Sequence, residues 1–228
     1  MYGHLQKGEY ELARSLLEKM QTFCYEKVSS RSVAHLVMMK AAYFTETGNW
    51  DDELLNDTLD YSEEAIQTYA AHCFTKGMAA FKKSNSDDLK TTIQDLTVAI
   101  NEVTNDVLIG NPEMCSGSYS RGRPTQLHVD RAKVMNLELM ALLSMIQNND
   151  IETESLLQEA VELEEQTSYN YGPPEIVKPS HEMYAEWLIG QKRFEEAADQ
   201  YEKVLHRAPK RFVVLAGLEK IRNLTKQT

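Results

Sequence analysis

The most informative stretch of the sequence is QKRFEEAADQY, residues 191–201. A turn residue is followed there after two positions by an aromatic, after five by alanine and after nine by a large residue (Lys192, Phe194, Ala197 and Tyr201). The same spacing recurs near the start of the chain in KGEYELARSLL, residues 7–17, with Gly8 as the turn residue. A spacing that recurs at both ends of a chain indicates an internal structural repeat.

The spacing has a direct physical meaning. A small alanine lets two antiparallel helices approach closely, while the aromatic packs back against the first helix of the pair. The large residue one turn after the alanine fills the space between this pair and the next. Pro209 then follows Tyr201 by eight positions, where a second helix is expected to stop. The pattern therefore predicts pairs of antiparallel helices.

Weaker copies of the pattern place turns near residues 8, 48, 85, 149 and 192. We expect one all-α domain over residues 1–228, built of antiparallel helix hairpins. Asn149, three residues before Glu152, is an expected helix start. The predicted hairpins span residues 1–27, 31–62, 64–103, 127–166 and 179–225, with a long loop at 104–126 and a second loop at 167–179.

The stretch from Pro179 to Arg211 resembles a tetratricopeptide repeat. Its first helix would carry Tyr184, Ala185 and Leu188, and its second Ala197, Tyr201 and Leu205. Elsewhere the likeness is architectural: Glu53 and Glu154 stand where the family has a small residue, and the turns lie 40, 37, 64 and 43 residues apart rather than about 34. The resemblance implies an α-solenoid with a right-handed superhelix that binds proteins or peptides.

The beginning of the chain fits a fragment of a larger repeat protein. A full first helix before Gly8 would need residues upstream of Met1. The chain looks like the C-terminal part of a longer bacterial tetratricopeptide-repeat protein. On this hypothesis the first helix has lost a packing neighbour, and Leu5 is expected to be exposed.

Charge and composition narrow the classes of partner. The net charge is −11, which disfavours a nucleic acid partner because phosphates repel an acidic surface. Residues 51–64 and 150–165 each contain seven acids and no base. These runs are either solvated helix faces or an acidic edge that selects a basic partner. No stretch predicts a membrane span or a signal peptide. We therefore expect a cytoplasmic protein.

The sequence offers little support for chemistry. No two of the six histidines lie at i, i+4, and the three cysteines, Cys24, Cys73 and Cys115, have no metal-binding spacing. The glycine-rich stretch at residues 117–122 does not follow a predicted strand, which argues against a phosphate loop. We predict no catalytic residue, no cofactor and no metal site.

Two hypotheses from different classes follow. In the first, the protein is a binding scaffold whose concave face is lined by first helices, as the family resemblance implies; its candidate residues are Lys40, Tyr43, His181, Tyr184 and Glu186. In the second, it is an enzyme or small-ligand-binding domain whose site lies under the loops at 104–126 and 167–179. The polar set for that site is Arg121, Arg123, His128, Asp130 and Tyr171.

Overall fold

The computed structural model describes residues 1–109, 123–168 and 175–226. Within these ranges the chain forms ten α-helices and no β-strand, which confirms the predicted all-α class. None of these helices combines the length and the apolar character needed to cross a bilayer. The helices are α1 (Tyr2–Leu5), α2 (Tyr10–Glu26), α3 (Ser30–Thr47), α4 (Ile66–Lys82), α5 (Ser86–Ile109), α6 (Gln126–Ile146), α7 (Asp150–Glu165), α8 (Ser180–Gly190), α9 (Phe194–Arg207) and α10 (Phe212–Thr225).

Helices that follow one another along the chain pack against one another. α1 contacts α2 and α3, α4 contacts α5 and α6, α6 contacts α7 and α8, and α8 contacts α9 and α10. Each helix that opens a pair therefore touches its own partner and the opening helix of the next pair. α3 packs between α2 and α4. The molecule is thus a series of sequentially packed helix pairs.

All five predicted turns lie where the sequence placed them. Each turn contains one residue in the left-handed region, with φ between 53° and 73° (Gly8, Gly48, Ser84, Asn148 and Lys192). Asn149 caps α7 by accepting a hydrogen bond from the backbone N–H of Glu152 at 3.3 Å, as expected from their spacing. The turns therefore mark where one helix ends and, except at Gly48, the next begins.

The predicted hairpin over residues 31–62 is wrong in its second half. α3 ends at Gly48, but residues 49–65 contain only one 3-10 turn, Glu53–Leu55, where a second helix was expected. Three aspartate carboxylates in this stretch accept a hydrogen bond from the backbone N–H two residues further on, at 2.9–3.1 Å (Asp52, Asp57 and Asp60). Such local bonds compete with helical hydrogen bonding. We call residues 49–61 the lid segment.

The predicted loop at 104–126 begins later than expected. α5 continues to Ile109, the last residue before the first glycine of that stretch. Val103 and Val107 lie four residues apart on one helical face and pack against the core. Apolar contact therefore extends the helix into the first residues of the predicted loop, up to its first glycine.

Two further expectations about the ends of the chain are corrected. Residues 179–225 form three helices rather than a hairpin: α9 ends at Arg207, before Pro209 as expected, and the chain resumes as α10. Leu5 is buried, with 1% of its surface exposed, because α1 packs on both α2 and α3. The first helix therefore does not expose the apolar side chain that the fragment hypothesis predicted to be free.

The contacts expected from the repeat pattern occur at the C-terminal end. Ala197 in α9 is fully buried where α9 packs against α8. Tyr201, one turn later, is 2% exposed, and its ring lies directly over the backbone of Gly217 in α10. The alanine thus lies where two helices pack closely, and the tyrosine fills the space toward the next helix, as predicted.

Replacing Ala197 with leucine should destabilise the protein by about 1–3 kcal/mol, because the larger side chain overpacks the contact between α8 and α9. Urea unfolding followed by circular dichroism measures the change. Ala216→Leu is the matched control, since Ala216 is exposed on α10. An Ala197→Leu midpoint equal to that of the control would contradict the close helix contact.

Arg211, buried just before α10, binds carboxylates from distant parts of the chain. Its Nη1 donates to Glu46 at the end of α3, with 2.6 Å between nitrogen and oxygen, and its Nε donates to Glu182 of α8. Nη1 also lies 3.3 Å from the hydroxyl oxygen of Tyr2 in α1. Lys178 binds Glu182 from the other side at 3.1 Å. Burial alone would raise the pKa of Glu182, but Lys178 and Arg211 lower it to about 2.

Arg211→Ala should cost about 3–5 kcal/mol, because it leaves two buried carboxylates without their shared partner. The depressed pKa of Glu182 adds a pH dependence: its contribution is present above the unfolded pKa near 4.5 and is lost as the pH falls toward 2. Urea unfolding at pH 7 tests the first point, with the exposed Arg222→Ala as control. Equal losses in the two variants would rule out the proposed importance of Arg211.

Candidate binding groove between α3 and α4

The two candidate residues on α3 are buried and already bonded. Lys40 donates from Nζ to the carboxylate of Asp57 and, at 3.4 Å, to the backbone carbonyl of Leu55. The hydroxyl of Tyr43 donates to Asp52 at 3.3 Å. Both side chains therefore hold the lid segment instead of presenting polar groups to a concave face.

The three candidates on α8 lie in a different environment. The imidazole of His181 contacts the side chains of Gln200, at 2.6 Å, and Glu165, at 3.1 Å. Tyr184 is buried and donates to Glu154 of α7 at 2.8 Å, while Glu186 is exposed and accepts from Lys178 at 2.7 Å. None of these contacts reaches Lys40 or Tyr43, so the five candidates do not form one site.

The structure describes only some of the polar residues that were proposed for a site under the two loops. Arg121 and Tyr171 lie outside the described residues. Arg123 is exposed, and Nδ1 of His128 accepts from the backbone N–H of Thr125 at 3.2 Å, so it helps to cap α6. Asp130 accepts from Gln126 at 2.7 Å. The contacts of His128 and Asp130 are therefore local to the first turns of α6.

A cavity of about 390 Å³ occupies the region where the second helix after Gly48 is missing. Its walls are α3, α4 and the first turn of α5, and the lid segment borders its remaining side. We call this cavity the α3–α4 groove. It is lined by Val37, Lys40, Leu55, Asn56, Asp57, Leu59, Tyr61, His72, Thr75, Lys76, Ala79, Ala80, Lys83, Asn85 and Asp88.

Helical spacing determines which side chains of α4 face the groove. His72, Lys76, Ala79 and Lys83 follow one another at intervals of four, three and four residues, which places them on one face of the helix. The stripe extends about 16 Å along the helix axis, at about 1.5 Å per residue. Because Ala79 is small, the middle of the stripe is open while its ends carry the polar groups.

A buried ion pair holds the lid segment against α3, on the other side of the groove. The side chains of Lys40 and Asp57 are each 6% exposed and contact one another directly. Asp57 also accepts a hydrogen bond from the hydroxyl of Tyr61 at 2.6 Å. Burial, followed by the neighbouring Asp57 charge, raises the pKa of Tyr61, so its hydroxyl stays protonated as a donor. Lys40 of α3 therefore holds the lid at Asp57, and Tyr61 bonds the same carboxylate from within the lid.

The rings of Tyr61 and His72 stack across the groove, with centroids 3.9 Å apart and an interplanar angle of 23°. Neither nitrogen of His72 has a hydrogen-bond partner within the described ranges. Burial lowers the pKa of His72 to about 4, so the ring is neutral at pH 7. A neutral imidazole on the groove wall offers one donor and one acceptor to a ligand.

Covalent chemistry by a nearby thiol is not favoured. Cys73 follows His72 and is buried, and burial raises the pKa of its thiol to about 12. A thiol is a strong nucleophile only as the thiolate. Over the part of the chain that the structure describes, no three histidine, cysteine or acidic side chains are grouped in a way that would hold a metal ion.

Comparisons with protein-family models, with curated proteins and with solved structures found no match for this chain. Sequence reasoning had selected only Lys40 from the groove and missed His72, Lys76 and Lys83. The signal that could have found them was the lack of an apolar helical pattern after Gly48, which leaves the facing side of α4 without a partner helix.

Replacing Asp57 with alanine should cost about 3 kcal/mol, because the Lys40 ammonium is left buried without its partner. The lid segment should also exchange its backbone amide hydrogens faster than in the parent protein. Urea unfolding and hydrogen exchange over residues 55–61 measure the two effects.

Two variants serve as controls for Asp57→Ala. Asp51→Ala removes a carboxylate that is exposed, so it should change neither quantity. A double variant, Lys40→Met with Asp57→Leu, replaces the pair by apolar side chains and should recover most of the lost stability. Equal changes in Asp57→Ala and Asp51→Ala would show that the ion pair is not what holds the lid.

Proposed function

We propose that this chain is a helical-repeat scaffold of the tetratricopeptide type that binds a protein or peptide partner and catalyses no reaction of its own. In this proposal the helix pairs stack as a right-handed superhelix, and the protein is cytoplasmic. The repeat pattern at residues 179–211 and the packing of each opening helix against the next support the architecture.

The observation that carries the binding proposal is the open α3–α4 groove. Elsewhere in the series a second helix covers the side of each pair, whereas the lid segment covers this side only in part. A volume of about 390 Å³ lies toward the lower end of the range for ligand pockets, roughly 300–1,000 Å³. A groove of this size suits the anchoring side chains of a short peptide segment better than a whole helix.

Ion pairs within the chain change the expected sign of the partner's charge. The two acidic runs had indicated a basic partner, but Asp52, Asp57 and Glu154 each pair with a basic side chain of the same chain. Lys76 and Lys83, in contrast, line the groove and are exposed. The contacts around the groove therefore favour an acidic segment over a basic one.

The binding proposal can be tested with a displayed library of random heptapeptides selected on the purified chain. Ala79→Phe should weaken binding of the selected peptides at least about tenfold, because the phenyl ring fills the middle of the groove. Val98→Phe is the matched control, since it adds the same ring at a position on α5 that is 56% exposed.

Thermal unfolding of both variants checks that they are folded, and Ala80→Met is a milder second way to fill the groove. Selected peptides that bind the groove-filled and control variants equally well would locate the binding elsewhere. A library that yields no binding peptide would overturn the scaffold proposal itself.

A further inference from the structure

The formal charge of the α3–α4 groove is opposite in sign to the net charge of the whole chain. The chain carries a net charge of −11. The groove is lined by three lysines and two aspartates, and His72 is neutral, so its formal charge is +1. A local reversal of sign in a partly enclosed cavity selects ligands of the opposite charge.

The charged side chains of the groove differ in whether they have a partner. Asp57 neutralises Lys40, and the Asp88 carboxylate accepts from the side-chain amide of Asn85 at 2.6 Å. The side chains of Lys76 and Lys83 form no ion pair and no hydrogen bond with any residue in the described ranges. The positive charge that is free to meet a ligand therefore sits on these two side chains. The Asp88 carboxylate of the same groove opposes it, because the neutral Asn85 amide leaves the charge of Asp88 in place.

The two lysines have a geometry suited to an extended ligand. They lie seven residues apart, with Lys76 in α4 and Lys83 directly after its last residue, which is about 10.5 Å along the helix axis. Their flexible stems can place both ammonium groups above Ala79, at the open middle of the groove. Val37 of α3 and Leu55 of the lid segment supply apolar surface beside it.

We infer that the α3–α4 groove binds a peptide segment through a carboxylate, held by the ammonium groups of Lys76 and Lys83, with apolar side chains on either side of the acid. His72 offers a further hydrogen bond at the Lys76 end. This inference rests on the proposed peptide-binding function and assigns its partner an acidic side chain flanked by apolar ones. A cavity of about 390 Å³ has room for these few side chains.

One feature opposes the Lys76 end of this site. Lys76 also borders a smaller cavity of about 210 Å³ that contains Asp60 and Asp95. Part of its charge therefore acts on those two carboxylates. Lys83 does not border that cavity, but Asp88 of the α3–α4 groove follows it by five residues, so we expect the two lysines to contribute similarly to binding of an anion.

The test uses three synthetic peptides of the form acetyl-Ala-Leu-X-Leu-Ala-amide, with glutamate, glutamine or lysine at X. Capped ends leave the central side chain as the one ionisable group. The glutamate peptide should bind most tightly and the lysine peptide least, as measured by isothermal titration calorimetry. Raising the salt from 0.1 M to 1 M shortens the screening length from about 10 Å to about 3 Å, so the preference for glutamate should shrink.

Variants of the chain then locate the carboxylate. Lys76→Gln and Lys83→Gln should each weaken binding of the glutamate peptide about two- to fivefold, and the double variant about tenfold. The glutamine peptide should be unaffected. Lys82→Gln is the matched control, because it changes the net charge equally on the same helix but lies outside the groove, over the ring of Phe81.

The outcomes separate this inference from the proposed function. Library peptides that are blocked by Ala79→Phe but show no preference for an acid, and no response to the two lysine variants, would overturn the carboxylate inference alone. Hexanoate that binds as tightly as the glutamate peptide, with the same lysine dependence, would support the carboxylate site and overturn the peptide part of the proposal. Equal effects of Lys82→Gln and Lys83→Gln would show only a general charge effect and would overturn the assigned site.

Discussion

The buried guanidinium of Arg211 is the contact on which the arrangement of the helix series depends. It binds Glu46 from the N-terminal half and Glu182 from the C-terminal half, across sequence separations of 165 and 29 residues. A buried charge is tolerated only where partners of opposite charge compensate it, so these positions must meet. Glu46 lies at the end of α3, two residues before Gly48. The contact that joins the two halves therefore also fixes the end of the helix from which the lid segment departs.

The lid segment shows how local chemistry can override a repeat pattern. Gly48 forms the expected turn, and Trp50, two residues later, stacks on Phe44 with 5.9 Å between the ring centroids. The helix that should follow does not form, because aspartates satisfy the nearby backbone N–H groups directly. The acidic residues that had looked like a solvated helix face instead hold the segment down: Asp52 binds Arg14, and Asp57 binds Lys40.

Whether a feature of this structure could be predicted from the sequence depends on how far apart in the sequence the interacting residues lie. The turns and the fully buried Ala197 were predictable, because each is set by residues a few positions apart. The Arg211 contacts and the partners of Lys40 were not, because they join residues that only the folded chain brings together. Glu154 illustrates the difference, because it stands where the repeat pattern has a small residue. In the structure it accepts hydrogen bonds from Tyr184 and from Arg193 of the next pair, at 2.8 and 2.7 Å.

The same distinction applies to the charge of the chain. A total of −11 sums over carboxylates that the chain uses internally as well as those that face solvent. What a ligand meets is set within about one screening length, roughly 8–10 Å at physiological salt. On that scale the groove presents Lys76 and Lys83, whose charges no neighbouring residue in the described ranges pairs. Because the second helix of a repeat would have covered this face of α4, the departure from the repeat that removes the helix also leaves the two charges exposed.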